Sequence, residues 1–130
     1  MTPDFILLAI ALMLALVQIL WAGAARTSEL GIKWNAGPRD GVAPPPGPMA
    51  GRLIRAQANL FETLPLFAAA VIMAEVAGKA GELTYIGAQM YVFARIAYVP
   101  VYMLGIPYVR SLIWLVSLIG LIVVLAALFI

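Results

Sequence analysis

The sequence predicts an all-α integral membrane protein, a single domain over residues 1–130 folded as a bundle of four transmembrane helices. Of its 130 residues, 65% are hydrophobic and 11% are charged, and the mean hydropathy is +1.04. A soluble domain needs a more polar surface than this composition supplies. Apolar segments of roughly 20 residues recur along the chain, and that length spans a ~30 Å hydrocarbon core. They leave little sequence for a separate soluble module.

The predicted helices lie at about residues 5–25, 49–77, 83–104 and 111–130. The first ends in small residues, as a signal peptide does, but Asp4 stands where a signal peptide has basic residues, so we predict a retained helix. The third contains Pro100, which should bend it. The fourth has no charged residue and is the clearest membrane span.

Residues 26–48 separate the first two helices and are predicted to form a loop, because they are rich in charged residues, glycine and proline. Basic residues concentrate on this side of the bundle, at Arg26, Lys33, Arg39, Arg52 and Arg110. The other side has only Lys79. The positive-inside rule therefore places the loops after the first and third helices in the cytoplasm and both termini outside. We expect a bacterial inner membrane.

The residue types that are missing restrict the chemistry. The chain has neither cysteine nor histidine, which excludes disulfides and a cysteine nucleophile and argues against any metal site. A reactive thiol must therefore arrive with a substrate. The net charge of +2 comes from few ionisable residues and indicates no nucleic-acid partner.

Polar residues form two stripes, one on the second predicted helix and one on the third. Spacings of three or four residues place the members of each stripe on one helix face. The stripes are Arg52, Arg55, Asn59 and Glu62, and Tyr91, Arg95, Tyr98 and Tyr102. A charge inside a membrane costs at least ~2.5 kcal/mol. Both stripes should therefore face the bundle or a neighbouring subunit, with Glu62 paired to Arg55 or Arg95.

Two interpretations of the stripes remain open from the residues alone. One is a structural network of ion pairs and hydrogen bonds that holds the helices together. The other begins from an excess of cations, because Glu62 is the only acid near Arg52, Arg55, Arg95 and Arg110. The planar fork of arginine suits carboxylates, so this interpretation predicts a small polyanionic ligand that carries carboxylates.

Two segments resemble the signatures of one membrane-protein family. Arg55-Ala56-Gln57-Ala58-Asn59-Leu60-Phe61-Glu62, followed by Leu64-Pro65-Leu66-Phe67, resembles the helix-2 signature of the membrane-associated proteins in eicosanoid and glutathione metabolism, abbreviated MAPEG. Phe93-Ala94-Arg95, Tyr98 and Tyr102, then Arg110 after a short Gly-Pro turn, resemble the helix-3 signature of its leukotriene-C and prostaglandin-E synthases and microsomal glutathione transferases. The order and spacing of all four helices agree as well.

The resemblance implies a homotrimer that binds glutathione, its cosubstrate, between adjacent subunits near the cytoplasmic side, with a lipophilic second substrate entering from the bilayer. It implies that Arg52 and Arg55 hold the glutathione carboxylates. Asn59 would fix the peptide, and Glu62 would take the γ-glutamyl ammonium. Arg110 would be the catalytic residue that stabilises the glutathione thiolate. The full implied glutathione-binding set is Arg26, Arg52, Arg55, Asn59, Glu62, Arg95, Tyr98 and Tyr102.

Some members of this set have less direct roles by the same resemblance. Tyr98 and Tyr102 would line the pocket, and Arg95 would form its wall or pair with an acid. Arg26 would be the basic residue contributed across the subunit boundary. The chain is slightly longer between Tyr102 and Arg110 than the leukotriene-forming members are, which leaves the aim of Arg110 open.

Three functions follow as hypotheses. The first is a glutathione transferase or peroxidase that acts on hydrophobic electrophiles or hydroperoxides. The second is a non-catalytic MAPEG-like protein that binds a lipid or a partner protein. The third is a small transporter, because Glu62 is an acid within a membrane helix. Glu62→Gln should weaken glutathione affinity in the first case, change little in the second and abolish transport in the third.

Overall fold

A computed structural model describes residues 1–130 as five α-helices without a strand, and 81% of the residues are helical. The helices are α1 (Pro3–Leu30), α2 (Ile32–Ala36), α3 (Pro48–Val76), α4 (Glu82–Met103) and α5 (Pro107–Ala127). The prediction of an all-α protein is therefore confirmed.

Three helices, α1, α3 and α5, are long and apolar enough to cross a membrane. The 22 residues of α4 also have the length of a span, but Gln89, Arg95 and several tyrosines make this helix more polar. Large apolar side chains cover the outside of the bundle; Leu20, for example, is 63% exposed. Such a surface suits lipid rather than water. The helices therefore support the prediction of a membrane protein.

The connection between α1 and α3 differs from the predicted loop at residues 26–48. α1 continues to Leu30 because the segment that starts at Arg26 holds no glycine or proline and because Arg26 and Glu29 form an i, i+3 ion pair of 2.9 Å. Gly31, at φ +92°, ends this helix and leads into α2. The irregular part of the connection is restricted to residues 37–47.

The start of α5 also differs from the predicted start at residue 111. The helix begins at Pro107, because the fixed φ of proline suits the first helical position and its missing N–H would have no partner there. Arg110 therefore lies on a helix, one turn from its beginning, and its backbone position is fixed.

Contacts between helices define which ends lie together. Thr84 Oγ1 donates to Asp4 Oδ2 at 2.7 Å, so the N-terminal ends of α1 and α4 are neighbours. Arg55, early in α3, donates to the hydroxyl of Tyr102, late in α4, so these two helices are antiparallel. α5 runs back along α4 because only residues 104–106 connect them.

An apolar core fills the half of the bundle that contains the start of α1. Its members include Leu7, Leu8, Ala11 and Ala15 of α1, Leu60, Leu64 and Phe67 of α3, Tyr91 and Val92 of α4, and Leu121 and Val124 of α5. The rings of Phe67 and Tyr91 stack with centroids 4.1 Å apart. The part of α3 before Leu60 and the part of α4 after Val92 lie beyond this core. The polar stripes continue there, toward the end of the bundle that holds residues 37–47.

Candidate functional site

Three arginines and a tyrosine surround a small cavity where α3, α4 and α5 meet. Arg52 and Arg55 come from the start of α3, Tyr102 from the end of α4 and Arg110 from α5. The cavity has a volume of about 190 Å³ and is completed by Gly105, Ile106 and Pro107. We call Arg52, Arg55 and Arg110 the arginine cluster.

Contacts with the end of α4 order the arginine cluster. Arg52 Nη1 donates to the carbonyl oxygen of Met103 at 2.9 Å, and Arg55 Nε donates to the hydroxyl of Tyr102 at 3.0 Å. The guanidinium carbons of Arg55 and Arg110 lie 5.9 Å and 5.1 Å from the centroid of the Tyr102 ring. Both distances fall within the range of cation–π attraction. Tyr102 therefore contacts two of the three arginines.

The turn after α4 is shaped to admit Arg52. Gly105 has φ +71°, which glycine adopts without strain. A Cβ at this position would also lie 3.0 Å from Arg52 Nη2. The positive φ therefore favours glycine here, and the lack of a side chain leaves room for the guanidinium group beside the turn.

The arginine cluster has no acidic partner within the chain. The single ion pair of the protein joins Arg26 and Glu29, at a different place. Three guanidinium groups around one cavity attract anions, and their planar forks fit carboxylates most closely. This geometry agrees with the interpretation of the stripes as a binding site for a polyanion.

The predicted pairing of Glu62 with Arg55 or Arg95 is wrong. Glu62 is exposed and forms no ion pair. Arg95 is only 1% exposed, and its Nη1 donates to Asn59 Oδ1 at 2.7 Å. Helical spacing had placed Glu62 on the same face of its helix as Arg55. Arg95 lies in the interior whereas Glu62 lies at the surface. Arg55 is exposed but precedes Glu62 by about two helical turns, so neither arginine pairs with Glu62.

Tyr98 and Asn59 lie between the arginine cluster and the apolar core. Tyr98 is 1% exposed, and its ring lies 4.4 Å from the guanidinium carbon of Arg95 and 5.4 Å from the ring of Tyr102. Asn59 is partly buried and follows Arg55 by one helical turn. Neither residue lines the cavity directly. Tyr98 instead packs behind Tyr102, which does.

Arg26 lies apart from the arginine cluster, in what we call the Arg26 cavity. This cavity, of about 250 Å³, lies between the end of α1, the segment around α2, and α3, and is lined by Ile19, Ala22, Gly23, Arg26, Thr27, Leu30, Trp34, Asn35, Arg39, Ile54 and Gln57. Arg26 pairs with Glu29 and donates to the carbonyl oxygen of Pro44. Within one copy of the chain, the structure does not bring Arg26 together with the arginine cluster.

Four polar residues of the Arg26 cavity were not predicted as site residues, namely Thr27, Asn35, Arg39 and Gln57. Gln57 follows Arg55 by two positions, so helical spacing places it on a different face from the polar stripe. Arg39 lies in the irregular connection at φ +58°, and its side chain donates to the carbonyl oxygen of Asn35. No periodicity exists in such a segment to indicate where a side chain points.

A family model identifies the chain at the level of its family. The model of the MAPEG family matches residues 6–130. The chain belongs to the MAPEG family. This match covers essentially the whole chain and confirms the resemblance noted from the motifs. No curated protein and no solved structure matches the chain.

Membership of the MAPEG family makes the chain a membrane protein of the type that acts in glutathione and eicosanoid metabolism. The MAPEG family includes glutathione transferases and related enzymes, and its members generally use glutathione. Both motif segments contribute to the cavity in this MAPEG protein, the α3 motif through Arg55 and the α4 motif through Tyr102.

Proposed function

We propose that this MAPEG protein is a glutathione-dependent membrane transferase or peroxidase, which activates the glutathione thiolate for attack on a lipophilic electrophile or hydroperoxide. The observation that carries the proposal is the arginine cluster, in which three guanidinium groups surround one cavity without an acidic partner. Glutathione supplies carboxylates and a thiol. The chain has no cysteine of its own, so the reactive sulfur comes from this substrate.

Arg52 and Arg55 are the proposed partners of the glutathione carboxylates. Each donates one hydrogen bond to the end of α4 and keeps other N–H groups free for a ligand. A guanidinium has five N–H donors in a planar fork, which matches the two oxygens of a carboxylate. Because both side chains are already ordered, binding costs less side-chain entropy than it would for free arginines.

Arg110 is the proposed catalytic residue. A free thiol with a pKa of ≈ 8.5 is only a few per cent ionised at pH 7, and lowering that pKa by one unit requires ~1.4 kcal/mol. A partly desolvated guanidinium near the sulfur supplies an attraction of this order, and Arg110 is partly buried beside Tyr102. The thiol loses its proton to water, and the thiolate sulfur then bonds to the electrophilic atom of the second substrate, whose leaving group departs with the bonding electrons. With a hydroperoxide, the O–O bond breaks, the alcohol leaves, and a second glutathione converts the resulting sulfenic acid to the disulfide with release of water.

A homotrimer with glutathione between adjacent subunits is part of the proposal. Arg26 lies in its own cavity, so it would contact glutathione held by the arginine cluster of the next subunit. Glu62 is exposed on a membrane helix, where an uncovered carboxylate is costly. A neighbouring subunit would cover it, and Glu62 would there take the γ-glutamyl ammonium. Asn59 and Tyr98 would complete the glutathione-binding set, on the side of the site that faces the bundle interior.

We also propose that α4 is the fourth membrane span and that the arginine cluster faces the cytoplasm of a bacterial cell. α4 lies antiparallel to α5, and both have the length of a span. Arg26, Arg39 and the arginine cluster lie at one end of the bundle, whereas Lys79 lies at the other. The positive-inside rule supports this orientation.

A non-catalytic lipid-binding protein is the second candidate, and one observation favours it. An open groove of about 420 Å³ lies on the outer face of α4 and α5 and is lined by Gln89, Met90, Phe93, Ala94, Ala97, Ile113 and Val116. Its lining is almost entirely apolar and would accept an acyl chain. A protein of this kind would bind lipid without forming a glutathione thiolate.

Ultraviolet difference titration of the detergent-purified protein with glutathione tests the proposed function. We expect a thiolate absorbance band at a pH well below 8.5 in the wild type, its loss in Arg110→Ala, and its retention in Lys79→Ala. Lys79 is a suitable control because its ammonium contacts only the carbonyl oxygen of Ile130 at the far end of the bundle. A wild type that neither binds glutathione nor shows the band would overturn the proposal in favour of the lipid-binding candidate.

A further inference from the structure

Arg95 is a buried cation without an acidic partner. It is 1% exposed and lies within a helix that we propose to span the membrane. Its Nη1 donates to Asn59 Oδ1 at 2.7 Å, and its guanidinium carbon lies 4.4 Å from the centroid of the Tyr98 ring. Its Nε has no hydrogen-bond partner. No acidic side chain lies within ion-pair distance of Arg95, and Glu62 attracts its charge only from longer range.

The chemistry of the guanidinium group determines the orientation of Asn59. A guanidinium has five donors and no acceptor, so the side-chain atom of Asn59 that faces it must be the carbonyl oxygen. The amide nitrogen of Asn59 is consequently turned away from Arg95. Asn59 is partly buried rather than enclosed, and Arg55 of the arginine cluster lies one turn away on the same face of α3.

We propose that Arg95 is a positioning residue for the glutathione site, an inference that rests on the proposed function. By occupying Oδ1, Arg95 holds Asn59 so that its two N–H groups point to the part of glutathione that extends beyond the cavity of the arginine cluster, which Asn59 does not itself line. The part of glutathione that meets Asn59 is then an acceptor, namely a peptide carbonyl or carboxylate oxygen, and not a peptide N–H. The same guanidinium orders Tyr98, whose ring packs against Tyr102 in the wall of the cavity.

Stability alone does not account for an arginine at this place. A buried charge without a close counter-ion loses hydration that the hydrogen bond to Asn59 and the contact with Tyr98 restore only in part. Apolar side chains often replace buried ionic groups without loss of stability. Methionine has a similar unbranched stem and would fill the same space. Since the fold gains little from the charge, fixing the amide of Asn59 is the advantage that arginine offers.

Four variants test the proposal: Arg95→Met, Arg95→Lys, Asn59→Asp and Asn59→Leu. We expect Arg95→Met to lower glutathione affinity on the order of tenfold without lowering the thermal midpoint of unfolding. At saturating glutathione its thiolate band should remain, unlike that of Arg110→Ala, because the group beside the sulfur is intact. Arg95→Lys should recover part of the affinity, since an ammonium also donates to Oδ1.

Asn59→Asp separates the contact with Arg95 from the contact with the ligand. A carboxylate at this position still accepts the hydrogen bond of Arg95 but has no N–H group for glutathione. We expect affinity to fall at least as far as in Arg95→Met while the thermal midpoint is unchanged or higher. If Asn59→Asp binds glutathione as tightly as the wild type does, Asn59 is not a donor to the ligand and the proposal is overturned.

A double-mutant cycle completes the test. Arg95→Met should weaken binding by about twofold or less when Asn59 is already leucine, because the amide that arginine orients is gone. A full additive loss in the double variant would overturn the positioning role. If the wild type binds no glutathione, the proposed function fails. The thermal midpoints of unfolding of the wild type, Arg95→Met, Asn59→Leu and the double variant then test the contact between the two residues. Non-additive changes in midpoint support the hydrogen bond between Arg95 and Asn59, and additive changes overturn it.

Discussion

Gly87 of α4 and Gly120 of α5 bring the backbones of the two helices into direct contact. A Cβ built on Gly120 would lie 2.6 Å from the carbonyl oxygen of Gly87 and 2.7 Å from the backbone nitrogen of Tyr91, and a Cβ on Gly87 would lie 2.7 Å from the carbonyl oxygen of Gly120. Small residues allow such close packing between membrane helices, where dispersion replaces the hydrophobic effect as the attraction. This contact fixes α5, and with it Arg110, against α4.

Gly120→Ala should therefore destabilise the protein. The added methyl group meets backbone atoms that cannot rotate away, so α4 and α5 must separate, at a cost of about 1–3 kcal/mol. Reversible unfolding in mixed detergent measures the change in the free energy of unfolding. Gly23→Ala is the matched control, because nothing lies within 4 Å of its new Cβ and alanine has the higher helix propensity. Equal stability of the two variants would show that the helices are not in contact as described.

A second prediction concerns the side-chain hydrogen bond that joins the N-terminal ends of α1 and α4. Thr84 Oγ1 donates to Asp4 Oδ2 at 2.7 Å and accepts from the backbone N–H of Gly81 at 2.8 Å. Asp4 is 4% exposed, so Thr84→Val leaves a buried carboxylate without this donor. We expect a loss of about 1.5–3 kcal/mol in unfolding free energy. Ser111→Ala, at an exposed position, should change it little.

A second variant checks the same hydrogen bond. Asp4→Asn replaces the charged acceptor by a neutral one, so Thr84→Val should cost less in that background than in the wild type. Equal costs in both backgrounds would contradict a hydrogen bond between the two side chains.

Spacing along the helices placed the members of each polar stripe on one helix face, and two contacts in the structure join the stripes. Arg55 bonds Tyr102 at 3.0 Å and Arg95 bonds Asn59 at 2.7 Å, each between α3 and α4. The helical repeat places residues three and four apart on one face, and two polar faces within a membrane find each other because lipid offers them no partner. Spacing therefore indicated three of the residues that line the cavity, Arg52, Arg55 and Tyr102. Arg110, which also lines it, belongs to neither stripe.

Spacing did not predict the exposure of Glu62 or the position of Arg26. A membrane protein is apolar on both its core face and its lipid face, so hydropathy does not tell which side of a helix is buried. The extension of α1 through Arg26 depends on the ion pair with Glu29 and on Gly31, beyond the apolar pattern. In the proposed homotrimer, the relation of Arg26 to the arginine cluster would depend on a second subunit, which the periodicity of one chain does not encode.

The proposed sharing of each site between two subunits makes a prediction about mixed assemblies. In the proposed homotrimer, Arg26→Ala and Arg55→Ala each remove one half of every site, so neither variant alone should bind glutathione well. When the two variants are expressed together and mix at random, about one quarter of the subunit boundaries join an intact Arg26 to an intact Arg55. Binding should return to about that fraction of wild type. If the site lay within one chain, mixing would restore nothing.

Glu62→Gln distinguishes the three functional hypotheses. As the partner of the γ-glutamyl ammonium, Glu62 would contribute a charge-assisted hydrogen bond, and its loss should weaken glutathione affinity on the order of tenfold. Calorimetric titration in detergent measures this change. If the substitution changes neither glutathione affinity nor substrate flux, the lipid-binding candidate is favoured. Loss of substrate flux in reconstituted vesicles, with glutathione affinity unchanged, would favour a transporter.

The activity of Arg110→Ala should depend on pH in a defined direction. A guanidinium beside the sulfur favours the charged thiolate and so lowers the pKa of bound glutathione; removing it returns that pKa toward ≈ 8.5. The rate of conjugation to a small lipophilic electrophile should therefore fall most at pH 7 and approach the wild-type rate as the pH rises through 9, where hydroxide has already removed the proton. The rate of Arg110→Lys at pH 7 should lie between those of the wild type and Arg110→Ala, since lysine keeps the positive charge but lacks the planar fork of donors. A deficit that is the same at every pH would mean that Arg110 holds the substrate and does not activate its thiol.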